Sequence, residues 1–387
     1  MRQRRGLRYL GLLAVLCAPL GARQDPSQTA SPETRALLVE GSQALQRGEN
    51  AAAAEAFRKA LAASPDSVEI MNDLAIALGR EGKGQESIAM YQRALKLKPG
   101  DLVTSANLGI AYFRSQQYAP ALPFLQKLAQ VRPSFQSYEL TGLTLFALDR
   151  FAEAAHYLEQ ASRLQPSDMT TLDMLGKAYL KSRNYQGAVD VFTRVMAVNP
   201  NSAEAHMLMG MAYDKLQREA EAEREYQAAA KASPAFMGVH SGLGLIYLRE
   251  GKSDLAENEF RAELTHYPND PVSNCMLGEI LQKKNQPEQA IPYLQKAIAA
   301  NPNYKDALFN LGKSEMMLDR PTEAIGPLRK AVAIDPDYYE AHYVLGTALR
   351  KTGRTAAATH ELQIAEQIQA RERAGLIKKV SKPENEQ

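Results

Sequence analysis

The sequence predicts an all-α solenoid, a stack of antiparallel helix pairs, and three observations predict it. Prolines recur through the chain at a nearly constant interval. Columns of small and of bulky residues keep step with them. Between the columns the apolar residues follow a helical period. Pro65, Pro99, Pro133, Pro166, Pro200, Pro234, Pro268, Pro302 and Pro336 are spaced by 34 residues, with one gap of 33 between Pro133 and Pro166. A single helix pair cannot bury its apolar faces, so pairs at this period must stack on one another.

The 387 residues begin with a segment unlike the rest. "MRQRRGLRY" carries four arginines and no acid, and "LGLLAVLCAPLGA" follows as a mostly apolar run. That order reads as a secretory signal over residues 1–22, too short to span a bilayer comfortably. Leu16 before Cys17 argues against a lipoprotein signal, and Arg8 interrupts the run that Arg4-Arg5 would need for twin-arginine export. Export is the expectation, with the bacterial periplasm as compartment; anchoring by an uncleaved signal, or secretion, are the alternatives. Without those four arginines the 46 basic residues fall to 42 against 44 acidic, so the net +2 becomes −2. The basicity belongs to the leader, and charge gives no case for nucleic-acid binding. Only Cys275 remains beside the leader's Cys17, so no intramolecular disulfide can form in the mature chain.

Residues 23–33, within "RQDPSQTASPET", read as a flexible linker, and residues 34–372 as ten repeats. Twenty-four positions before the prolines stand Gly41, Ala75, Gly109, Gly142, Gly176, Gly210, Gly244, Gly278 and Gly312, with Gly346 in phase. A second column, twelve before, runs from Ala53 and Ser87 through Ala121, Ala154 and Ala188 to Ala358. A third, eight before, is bulky, from Phe57 and Tyr91 to Leu328 and Leu362. Small residues let two helix backbones approach and bulky ones fill the space between them. Proline then ends the second helix, since it cannot extend the hydrogen-bond ladder. The first repeat carries Glu40 and Ala44 where later ones are large and apolar, as an end cap should. The last lacks the proline, and its second helix is expected to run through "HELQIAEQIQARERA" to Gly375, with residues 373–387 a polar, disordered tail.

Segments such as "SANLGIAYFRSQQYAPALPFLQKLAQVRP" and "DALFNLGKSEMMLDRPTEAIGPLRKAVAIDP" resemble the tetratricopeptide repeat family in their Leu-Gly, aromatic, Ala, aromatic, Ala and Pro order. The resemblance implies a right-handed superhelix whose first helices line a concave face where partner peptides bind. Departures are the absence of tryptophan, Glu315 at an aromatic position, Glu263 at a small one, and the residue missing between Pro133 and Gly142.

Catalytic patterns are absent. His360-Glu361 lacks the second histidine of HExxH, and "HSGLGLIYL" has neither a third glycine nor a preceding strand. No cofactor and no enzymatic activity are expected. A cation column, Arg80, Arg114, Lys181, Lys215, Arg249, Lys283 and Lys351, could hold a polyanion. It equally suits helix C-termini, where cations complement the helix dipole. His206, His240 and His342 share the family's tryptophan column, and Cys275 reads as small apolar filler. The chaperone-carboxylate clamp of one sub-type would use Asn72, Asn107 and Asn310, but its lysines do not accompany them.

Three columns, 27, 23 and 20 before each proline, should face the groove. There stand Ile110, Phe113, Leu143, Phe146, Leu180, Met207, Met211, Leu245, Leu248, Phe309, Met316 and Tyr343, interrupted by Asp173, Lys177, Asp214 and Glu279. An open apolar stripe with adaptable methionines suits a protein or peptide partner. Self-association would cover the same residues. The expected function is thus a non-catalytic binding scaffold. A structural subunit of a cell-envelope assembly (secretion, pilus or polysaccharide export) using the convex face is one alternative. A soft-metal carrier built on "HMLMGMAYDKLQ" is the other, although Met209 must point away from Met207 and Met211 on a helix.

Overall fold

A computed structural model describes residues 31–380, and side chains up to residue 374. The signal over 1–22, residues 23–30 of the 23–33 linker and the last seven residues of the tail lie outside the described residues. Twenty α-helices and no strand occur among the described residues.

They fall into two compact units divided between Asn184 and Tyr185. The first unit holds α1 (Pro32–Gln46), α2 (Asn50–Ala63), α3 (Val68–Arg80), α4 (Gly84–Leu97) and α5 (Leu102–Arg114). It continues with α6 (Tyr118–Val131), α7 (Phe135–Ala147), α8 (Phe151–Leu164) and α9 (Met169–Lys181). The second opens with α10 (Tyr185–Val198), α11 (Ala203–Lys215), α12 (Glu219–Ala232), α13 (Val239–Arg249) and α14 (Ser253–His266). It closes with α15 (Pro271–Lys283), α16 (Pro287–Ala300), α17 (Lys305–Met317), α18 (Pro321–Ile334), α19 (Tyr339–Lys351) and α20 (Thr355–Val380). Within each unit a first helix packs on its own second helix, which packs on the next first helix.

The glycine and bulky columns are two sides of one contact. A Cβ on Gly142 would stand 2.6 Å from Leu158, and one on Gly278 2.6 Å from Leu294, closer than carbon atoms tolerate. The second repeat solves the same crossing differently. Ala75 replaces the glycine, and Ser87 in the alanine column donates its hydroxyl to the Ala75 carbonyl at 2.7 Å. The rest of that column, from Ala53 to Ala324, is buried completely.

Turns and caps repeat as well. Seventeen positions before each proline, and at the matching place in the last repeat, the backbone φ is positive: glycine at 48, 82, 251 and 353, but Gln116, Asp149, Arg183, Gln217, Asn285 and Asp319 elsewhere. After the proline, Ser67, Asp101, Asp168, Ser202 and Asp270 each accept a backbone N–H of the helix they open. In the shortened fourth turn Ser134 and Ser137 form a reciprocal capping box. Gly238 has no side chain to cap α13, and the anomalous Glu263 does it from α14. Its carboxylate, 1% exposed, accepts from Gly238 N at 2.8 Å and Ser241 N at 3.3 Å.

The boundaries differ from expectation at both ends. Ser31 caps α1, which begins at Pro32, so the linker ends before residue 33. At the other end α20 passes through Gly375 to Val380, so residues 373–380 are helical and not a disordered tail. A lone glycine costs a helix about 1 kcal/mol against alanine, which weakens it without stopping it. No described helix is long and apolar enough to cross a membrane.

Candidate functional site

None of the twelve groove residues is buried, whereas the bulky column is buried from Phe57 to Leu328. Met211 and Tyr343 are 40% and 52% exposed, and the other ten are half-buried. The division between units separates them into two sets. Ile110, Phe113, Leu143, Phe146 and Leu180 lie on α5, α7 and α9 of the first unit. These first helices are neighbours, α5 beside α7 and α7 beside α9. Aromatic pairs anchor the row at its end: Phe113 packs edge-on against Tyr118 at 5.7 Å, and Phe146 against Phe151 at 5.2 Å. Each pair ties the last turn of a first helix to the first residue of the second.

The second unit does not hold its seven residues as one stripe. Met207, Leu245 and Leu248 pack on one core, Phe309 and Met316 on another, and α15 lies between them in the chain. At the three groove columns α15 offers Cys275, Glu279 and Gln282. Cys275 is fully buried, and burial pushes its thiol up to about 12, as suits inert filler. Glu279 pairs with Lys283 at 2.7 Å. Gln282 donates to the Asn310 carbonyl at 2.6 Å and to Ser314 at 2.7 Å. Tyr343 stacks on Tyr339 at 6.3 Å, and Phe309 sits 5.0 Å from Tyr338. Met209 is 6% exposed and internal while Met211 is open, so the methionine alternation is split between core and surface.

The cation column belongs to helix ends. Arg80, Arg114, Lys181, Lys215, Arg249, Lys283 and Lys351 all sit in the last turn of a first helix. Several have carboxylates already: Arg249 bonds Asp214 and Glu219, Lys351 bonds Asp319, and Lys215 lies 3.5 Å from Asp214.

The histidine column turns out to be a repeated clamp. Nδ1 of His206, His240 and His342 lies 2.7, 2.6 and 2.6 Å from a carboxylate oxygen of Glu225, Glu259 and Glu361. Each Nε2 lies 3.1 Å from the carbonyl of the preceding Pro200, Pro234 or Pro336. One ring thus joins first helix, second helix and the turn before them. The signal was present in the sequence and overlooked. A glutamate follows each of these histidines by nineteen residues, and no other repeat has a carboxylate there. Where Asn274 takes the histidine's place, its amide keeps the bond to the Pro268 carbonyl at 3.0 Å.

Glu139 was also overlooked, although it stands in the groove column of α7, four residues before Leu143 and seven before Phe146. It is half-buried, and burial together with the Asp168 charge pushes its carboxyl up to about 7, against a smaller opposing effect of the Thr171 hydroxyl. Between the second helices α2 and α4, an open depression of about 440 Å³ is lined by Arg58, Leu61, Glu86, Met90 and Arg93, with Leu74 of α3 also in its lining.

The tetratricopeptide repeat family model matches residues 38–101, 106–169, 174–235, 209–271 and 275–339. Among relatives, BBSome complex member BBS4 of Mus musculus is 28% identical over 131 residues, 34% of this chain and 25% of that one. Peroxisome biogenesis protein 5 of Arabidopsis thaliana is 25% identical over 157 residues, 40% of this chain and 21% of that one. The chain spans about a quarter of the length of the curated relatives it matches. Among solved structures, YrrB, described as a TPR protein with an unusual peptide-binding site, is 24% identical. The match covers 50% of this chain and 99% of that one with a TM-score of 0.43. A monomeric IFIT1 mutant with Gppp-AAAA is 16% identical over 78% of each chain, with a TM-score of 0.44.

Proposed function

The chain belongs to the tetratricopeptide repeat family, a family of protein-interaction scaffolds, and we propose that it holds a segment of a partner protein against the first-helix face of its repeats. One observation carries this reading. On the neighbouring first helices α5, α7 and α9, large apolar side chains at the groove columns remain partly exposed, while the glycine and bulky columns of the same repeats are buried. Contiguous exposed apolar surface of that kind marks an interaction site. The first unit holds the most continuous stretch, from Ile110 to Leu180. The work proposed is binding: many of the polar groups set within the repeats serve caps, clamps and inter-repeat bonds.

The protein acts after export, in a bacterial periplasm, on the strength of the basic and apolar order of residues 1–22. Cell fractionation with N-terminal sequencing of the mature chain tests that. A soluble periplasmic chain beginning near residue 23 supports it, and a cytoplasmic chain beginning at Met1 removes it. An intact signal in the membrane fraction, or product in the medium, selects anchoring or secretion instead.

Binding is tested by capture from an envelope extract, comparing the parent with a Phe113→Ser, Phe146→Ser, Leu180→Ser variant whose helicity is checked by circular dichroism. Loss of the parent's specific partners supports the groove. Partners that survive all three substitutions sink it, and direct attention to the second-helix surface around Arg58 and Met90.

A further inference from the structure

We propose that the segment held by the first unit is amphipathic and cationic along one edge, its lysines or arginines meeting Glu139 and its apolar side chains meeting Ile110, Leu143, Phe113 and Phe146. This rests on the groove reading above and specifies the partner's chemistry.

The three groove columns of α5, α7 and α9 form three rows. The first row reads Ala106, Glu139 and Asp173, the second Ile110, Leu143 and Lys177, the third Phe113, Phe146 and Leu180. Residues at i, i+4 and i+7 share one helix face, so each helix presents one member of every row. The surface therefore grades from acidic to aromatic along the first helices. Lys177 offsets only part of the acidic row, since it bonds Asp173 at 2.7 Å.

Glu139 is the group that asks for a counter-charge. Asp168 is held beside it by its own task, accepting the Thr171 N–H at 2.7 Å to cap α9, and so cannot turn away. A half-buried carboxylate next to a fixed like charge is held in an unfavourable state, which is why its carboxyl is pushed up to about 7. A partner's cation offsets both by favouring the ionised form, and a partner's carboxylate adds a second like charge. At the far edge Arg114 and Lys181 follow directly after Phe113 and Leu180, so the gradient also fixes which edge of the segment carries the charge.

Two synthetic amphipathic peptides test this, identical in their leucines and phenylalanines but with lysine or glutamate at every polar position. Each carries fluorescein and is titrated by anisotropy with the full chain at pH 8 and low salt. The lysine peptide is expected to bind about tenfold tighter or better, a difference that salt reduces. Glu139→Gln, nearly isosteric, narrows the ratio, and Glu139→Lys carries it further toward the glutamate peptide. Phe113→Ser with Phe146→Ser weakens both peptides. If both bind equally and the phenylalanine substitutions still weaken them, the charge inference is overturned and the groove stands. If neither binds, or binding ignores the phenylalanine substitutions, the groove reading falls and this inference with it.

Discussion

Single residues in this chain depart from the repeat pattern where the structure needs something the pattern does not supply. Glu263 sits at a small-residue position because Gly238 leaves α13 without a cap. The three histidines bring their glutamates with them because a clamp needs both halves. Glu139 has no such structural task, and its cost shows in its titration. Its carboxyl is raised from an ordinary 4.5 to about 7, so folding disfavours the ionised form. The unfolded chain then holds fewer protons than the folded one between those values, and stability falls as pH rises through that window. Glu139→Gln removes the dependence. Thermal melts should show the variant above the parent at pH 8 and the two converging near pH 4. An equal difference at both pH values would mean that the substitution acts through packing and not through charge.

At the scale of the element, helix pairs, their period and the identity of the interior columns were legible from one sequence, because ten copies of each column average out local exceptions. The turn between paired helices was less so. A positive φ is plain where glycine marks it at 48, 82, 251 and 353, and hidden where Gln116 or Arg183 stands in the same place. The left-handed conformation costs an ordinary residue about 1–2 kcal/mol. Glycine avoids that cost but loses about 0.5–1 kcal/mol more backbone entropy on folding. Gln116→Gly should therefore raise stability by about 0.5–1 kcal/mol, read as a higher urea midpoint. Asp149→Gly should gain less, since aspartate tolerates this region better. Gly82→Ala, at φ 90, should lower the midpoint. A fall for Gln116→Gly would show that its side chain contributes more than its backbone costs. The proposed groove was legible as columns but not as a surface. That Cys275 and Gln282 turn inward and break the second unit's stripe follows from their neighbours on α17, which no column reading includes.

For the molecule as a whole, the pattern of packing decides how damage spreads. A first helix meets its own second helix and the repeats on either side, so a repeat's stability is its own plus that of its interfaces. Nothing in such a stack compels distant repeats to unfold together, and long arrays of this kind depart from all-or-none unfolding. Leu158 on α8 is fully buried against the backbone of Gly142 on α7, inside the first unit. Leu158→Ala removes that filling, and substitutions of this type cost about 2–5 kcal/mol. Because the loss is local, hydrogen exchange should quicken in α7 and α8 and more weakly in α6 and α9, while α1 and α2 keep their protection. The circular dichroism melt should broaden as well as shift. Exchange that quickened equally from α1 to α9 would instead make the first unit one cooperative block, with interface energies large enough to bind its nine helices into a single transition.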